Sequence, residues 1–161
     1  MIVDDEWMNR EVIEAYLVNA GYEVVSAHSG EHALELADQR SPDLVLLDMR
    51  MQGMNGVEVC RRLKAHPNTR YTPVLIVTAL TNEKEKVEAI AAGADDFISK
   101  PLDSTLMLNR VKSFSRFKQL AQSLETSEAI LRNILNRHVN SELAETILSE
   151  FNALYSNQNV E

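Results

Sequence analysis

Five times in its first 118 positions the chain repeats one pattern: a short β-branched or apolar run, then an amphipathic stretch of helical spacing. The runs are MIV, EVVSA, DLVLLD, PVLIVTAL and DDFISKP. The third and fourth are apolar without alternation, so both faces of those strands must be covered. Strands covered on both faces belong to parallel sheets with helices above and below. Alternation of strands with helices specifies βαβ units rather than hairpins or bundles. The fold class that follows is α/β, a doubly wound five-stranded parallel sheet spanning residues 1–118.

Punctuation within this stretch agrees. Gly21 stops the first amphipathic segment, Ser29 is placed to cap the helix of GEHALELADQR, and Pro67 ends the helix of VEVCRRLKAH. The 161 residues, 45% of them apolar, suffice for one cored domain and an appendage. A net charge of −8 leaves no basic excess to displace counterions from phosphates, so nucleic acid is not an expected partner. The single cysteine, Cys60, forbids an internal disulfide framework and reads as a small buried hydrophobe. No apolar run approaches the roughly 20 residues of a membrane span, and the N-terminus lacks a signal pattern. A cytoplasmic location, away from the membrane, is the expectation.

After Pro101 the chain contains neither glycine nor proline, and its helical signal outruns what one domain needs. Positions 107, 114, 121, 128 and 135 follow a seven-residue step, as do 110, 117, 124, 131 and 138. Phe114, Phe117, Ala121, Leu124, Leu131 and Leu135 give this stretch a coiled-coil seam, interrupted by Glu128 and His138. The organisation expected is a domain over 1–118, a coiled-coil helical linker over 119–139 and an amphipathic C-terminal helix and tail over 140–161. Asn140 or Ser141 can cap that last helix, which carries Leu143, Ile147, Leu148, Phe151 and Leu154.

In open parallel sheets the ligand site forms at the carboxyl ends of the strands. Asp4, Asp5 and Glu6 follow the first run, Asp48 ends the third, Thr78 the fourth, and Lys100 the fifth. Any one of these acids alone is more often a cap or turn residue. Several carboxylates in one crevice repel unless a cation joins them. Oxygen ligands suit a hard ion such as Mg²⁺, which keeps several of its waters. A lysine and a hydroxyl beside that ion make a site for an anion, most naturally a phosphoryl group.

IVDDE, DLVLLDM, MNG, PVLIVTA and AGADDFISKP, in that order, resemble the receiver domain of two-component response regulators. Asp48 to Thr78 is 30 positions and Thr78 to Lys100 is 22, the spacings of that family. The resemblance implies a flavodoxin-like sheet of order 2-1-3-4-5. It makes Asp48 the phosphate acceptor and Asp5 a direct Mg²⁺ ligand, with Asp4 holding metal-bound water and the Arg50 carbonyl completing the set. Thr78 and Lys100 would bind phosphoryl oxygens, and Phe97 matches the aromatic position that turns inward on activation. A sensor histidine kinase or phosphotransfer protein would supply the phosphoryl group.

Three departures stand out. Gln52 replaces the family's usual proline, and Arg50 and Leu80 occupy its variable positions beside the site. Only Met1, Ile2 and Val3 precede the acid pair, fewer residues than the family's first strand has. In the tail, LNRVKSFSRFKQLAQSLE resembles helices leading to cyclase or phosphodiesterase outputs, and ILNRHVNSELAETIL resembles a segment upstream of class III nucleotide cyclases. The chain then reads as a receiver from a larger regulator or as a receiver with a helical dimerisation tail. A haloacid-dehalogenase-like phosphatase is the competing enzyme reading, but it needs an acid where Arg50 stands. A pseudo-receiver would have lost site residues, and here all are present. His28 and His32, four apart, could pair on one helix face for zinc, though a solvated face is the plainer reading.

Overall fold

A computed structural model describes residues 1–79 and 83–138; at positions 83, 117–119, 121, 122, 125, 128 and 131–138 it describes the backbone alone. The elements run β1 (Ile2–Val3), α1 (Trp7–Asn19), β2 (Ser26–Ala27), α2 (Gly30–Arg40), β3 (Val45–Asp48), α3 (Gly56–Ala65), β4 (Val74–Thr78), α4 (Glu83–Ala91), β5 (Asp96–Ser99) and α5 (Ser104–His138). All pairings are parallel and the strand order is β2-β1-β3-β4-β5, the doubly wound arrangement.

The sheet owes its position to residue alternation along its central strands. Val45 and Leu47 enter a core shared with α2, α3 and α4 through Ala33, Val59, Leu63 and Ala89. Leu44 and Leu46 enter the opposite core, closed by Ile13 and Leu17 of α1 and by Met107 and Val111 of α5. Each fully buried aliphatic side chain of this kind contributes about 1.5–3 kcal/mol. Two helical layers therefore clamp β3 and β4, in which every residue is buried.

Local chemistry sets the helix ends. The Ser29 hydroxyl accepts from His32 N–H and caps α2, and Asn55 accepts from Glu58 N–H and caps α3. Helix α3 stops at Ala65 with His66 extended, because the residue before Pro67 is driven out of helical backbone. The second strand is shorter than the EVVSA run implies. Ile2 pairs with Ser26, so a partner for Val24 and Glu23 would lie ahead of Met1. At the start of β1, Ile2 N–H donates to Val25 O at 2.8 Å, Leu46 N–H to Met1 O at 2.9 Å and the Met1 amino group to Leu44 O at 2.8 Å.

The chain divides into two compact units, Met1–Gln119 and Leu120–Glu161. In the first, Phe114 is half-buried against the core that holds Met107 and Val111. In the second, Leu120, Leu124 and Ile130 are exposed. The helix expected within 140–161 lies outside the described residues.

Candidate phosphoryl-transfer site

Four strand ends bring the predicted residues to one cavity of about 160 Å³. Its lining includes Asp4, Asp5, Asn9, Asp48, Arg50, Thr78 and Lys100. A second cavity, about 450 Å³, lies at the opposite ends of the strands, beside Val24, Val25 and Leu44. It is lined by Glu23, Asp43 and Arg40 but by none of the strand-end residues Asp5, Asp48, Thr78 and Lys100, so the smaller cavity is the candidate site.

Asp48 closes β3 with only 6% of its surface exposed. Its Oδ1 accepts from Lys100 Nζ at 2.6 Å and its Oδ2 from the backbone N–H of Arg50 at 2.9 Å. Burial is the largest influence on this carboxyl and lifts its pKa above the ordinary value. The Lys100 hydrogen bond and charge pull it down, while the charge of Asp4 adds to the rise. For Lys100, burial alone would favour loss of the proton. Hydrogen bonds and charge from Asp48 and Asp4 outweigh it, and its pKa is raised. The ammonium is thus the well-supported partner and the carboxylate the under-compensated one.

Asp4 is nearly saturated. Its Oδ1 takes the Glu6 N–H at 2.9 Å, Asn9 Nδ2 reaches both oxygens at 3.2 and 3.0 Å, and Lys100 Nζ lies 3.4 Å from Oδ2. Arg10 also clamps the Asp4 carbonyl at 2.7 Å. Asp5 is different: its Oδ2 accepts from Gln52 N–H at 2.9 Å, which ties the β3–α3 loop to the end of β1. Thr78 ends β4, buried, with its hydroxyl 3.9 Å from Met49 Sδ, and its carbonyl accepts from Lys100 N–H at 2.8 Å.

The loop after Asp48 depends on glycine. A Cβ on Gly56 would meet the Asp48 carbonyl oxygen at 2.3 Å, so only glycine lets α3 begin against Asp48. Gly53, at φ +76°, makes the turn that returns the loop.

Phe97 is half-buried in the α2–α3–α4 core and does not line the cavity. Its N–H bonds Asp96 Oδ1 at 2.8 Å, and Asp96 pairs with Arg110 of α5. Cys60 is fully buried and its Sγ reaches the Ala92 carbonyl at 3.5 Å; burial pushes its thiol up to about 11, away from redox reactivity. His28 and His32 do meet, Nδ1 to Nδ1 at 2.9 Å, but His28 precedes α2. Among the described residues no third His, Cys, Asp or Glu joins them. Leu80 lies outside the described residues.

Asn9, Arg10 and Glu85 were not singled out from the sequence. Asn9 and Arg10 carried a weak signal, being polar residues in the first turn of the helix that follows the acid pair. Glu85 carried none, since its partner Arg50 lies 35 positions away, at 3.1 and 3.3 Å.

The sheet order, the strand-end acids and the lysine–aspartate bond define a phospho-accepting regulatory module. The chain belongs to the response regulator receiver domain family, whose model matches residues 1–112. Such domains bind Mg²⁺ at their acidic pocket and work in phosphorelay signalling. Among curated relatives, the chain is 41% identical over 129 residues to the response regulator PleD of Caulobacter vibrioides, covering 80% of this chain and 28% of that protein. It is 39% identical over 116 residues to the phosphate regulon transcriptional regulatory protein PhoB of Pseudomonas aeruginosa, covering 72% and 51%. It thus spans between about a quarter and a half of these relatives' length. Among solved structures, a response regulator from Chloroflexus aurantiacus matches at TM-score 0.68 and 36% identity, over 71% of this chain and 94% of that one. The NtrX receiver domain from Brucella abortus matches at 0.66 and 29%, over 71% and 96%.

Proposed function

We propose that Asp48 accepts a phosphoryl group from the phosphohistidine of a sensor kinase or phosphotransfer protein, and that the acyl phosphate switches the domain. The 2.6 Å contact between Lys100 and a buried Asp48 carries this reading. A carboxylate oxygen of Asp48 attacks phosphorus in line, the phosphorus–nitrogen bond breaks, and the leaving imidazole keeps the electron pair. Lys100 stays cationic through the step and balances charge on the phosphoryl oxygens. The Thr78 hydroxyl donates to one of those oxygens, and the space it vacates receives Phe97. This gives the two-state element that modification biases.

The donor set fits a hydrated Mg²⁺. Asp5, Asp48 and the Arg50 carbonyl would be direct ligands, and the saturated Asp4 would hold a metal-bound water. Asp4, Asp5 and Asp48 line one cavity, and such oxygen donors suit an ion which keeps much of its water shell. When bound, the ion would neutralise charge on the transferred group. The phosphatase reading fares worse. Its general acid would stand at position 50, where an arginine is turned onto Glu85.

Incubation with acetyl phosphate and Mg²⁺ should add one phosphoryl group by intact mass. The gain should vanish in Asp48→Asn and fall with a chelator. Equal labelling of the Asn variant refutes the assignment. No helix among the described residues is long and apolar enough to cross a membrane. With the acidic net charge, this supports a cytoplasmic protein that binds proteins rather than nucleic acid.

A further inference from the structure

We propose that Glu85 of α4 is a positioning residue for this site: it holds the Arg50 guanidinium away from Asp48 and thereby sets the lifetime of the acyl phosphate. The inference rests on Asp48 being the acceptor. Arg50 is rooted at the reacting group, because its own N–H lies 2.9 Å from Asp48 Oδ2. Its guanidinium, however, is turned outward, with Nη2 3.1 and 3.3 Å from the two oxygens of Glu85. The pair joins the β3–α3 loop, whose Arg50 lines the cavity, to α4.

This contact is built to be exchanged. The side chains of Arg50 and Glu85 are 66% and 28% exposed, and an ion pair so open to water is weak. A phosphoryl group on Asp48 brings close to two negative charges and three acceptor oxygens, a better match for a planar guanidinium than one carboxylate. Asp48 is buried and lines the same cavity as Arg50. Hydrolysis needs a water oxygen to attack phosphorus in line while the phosphorus–Oδ bond breaks, restoring the carboxylate and releasing inorganic phosphate. Arg50 on the phosphoryl group would stand in the cavity through which that water approaches. Arg50 on the phosphoryl group therefore slows the loss, and Glu85 speeds it by competing for the guanidinium.

The test follows decay of the phosphorylated chain by intact mass after the donor is removed. The set is the parent, Glu85→Gln, Glu85→Asp, Arg50→Ala and the Arg50→Ala/Glu85→Gln double variant. Glu85→Gln should lengthen the lifetime about two- to fivefold, the size expected for losing an exposed ion pair. Glu85→Asp should return it toward the parent. Arg50→Ala should shorten it, and the double variant should decay like Arg50→Ala. A Glu85→Gln lifetime equal to or shorter than the parent's overturns the proposal. So does a Glu85→Gln effect that persists without Arg50. A parent chain that labels normally leaves the acceptor reading intact in either case, whereas a parent that takes no phosphoryl group overturns that reading and this inference with it.

Discussion

Asp48 and Lys100 share one short hydrogen bond yet respond oppositely to burial. The pKa of Asp48 is raised above its ordinary 3.8 chiefly by desolvation. Its ionised form therefore costs the folded state free energy above that value, and the cost disappears below it, where folded and unfolded chains are both protonated. Asparagine imitates the neutral acid. Asp48→Asn should melt higher than the parent at neutral pH, with the gap closing as pH falls through the carboxylate range. Melting curves from about pH 4 to pH 8 would show it. A lower melting temperature for the variant at neutral pH means that attraction to Lys100 outweighs burial. Lys100 runs the other way. Its raised pKa gives stability that is present below the ordinary 10.5 and fades as pH climbs past it. The strand-end residues were legible in sequence because each closes an apolar run, and a charged or hydroxyl residue there has one place to be. Asn9 and Glu85 were not, because what matters is whom they touch, and Glu85 reaches its partner only once α4 has packed.

Among the elements, β1 is the one whose length has consequences. It is an interior strand with two residues, while β3 beside it has four and β4, one strand further, has five. Between the segments leading into β2 and β3 lies the cavity of about 450 Å³, lined by Met1, Val24, Val25, Asp43 and Leu44. Val25 and Leu44 line it, and their N–H groups donate to no backbone carbonyl among the described residues. A parallel strand continuing ahead of Met1 would accept from both. Adding three apolar β-formers before Met1 should raise the melting temperature by several degrees, as about 1–2 kcal/mol from ladder bonds and apolar burial implies. An unchanged melting temperature shows that the slot gains nothing from a strand. The same reasoning explains which elements could be read in advance. DLVLLD and PVLIVTAL announce themselves because both faces are buried, whatever their neighbours do. EVVSA forms only two strand residues because a strand needs a partner opposite, and β1 offers none to Val24.

At the scale of the whole molecule, two chains should associate through the helix beyond the receiver domain, and phosphorylation should alter that pairing. The family match ends at residue 112, while α5 runs from Ser104 to His138, so periodicity is the main guide to this part. Phe114 is partly committed to the domain's own core. Farther along, Leu124 is 53% exposed, with Leu120 and Ile130 beside it in sequence also open. Apolar side chains spaced along an exposed helix are stabilised when a second helix covers them. Phe117, Ala121, Leu131 and Leu135 continue the seven-residue step, and their side chains lie outside the described ones. Glu128 and His138 interrupt the step, and such interruptions keep alternative packings close in energy, which suits a switch better than a rigid rod. A parallel pair would bring both C-termini together, as a dimeric effector of the cyclase type requires. Sedimentation of the parent, of Leu124→Lys with Leu131→Lys, and of each with a phosphoryl mimic tests this. The parent should sediment as a dimer whose population changes with the mimic, and the doubly charged variant as a monomer in both conditions. If parent and variant are both monomeric, with and without the mimic, this helix does not pair two chains.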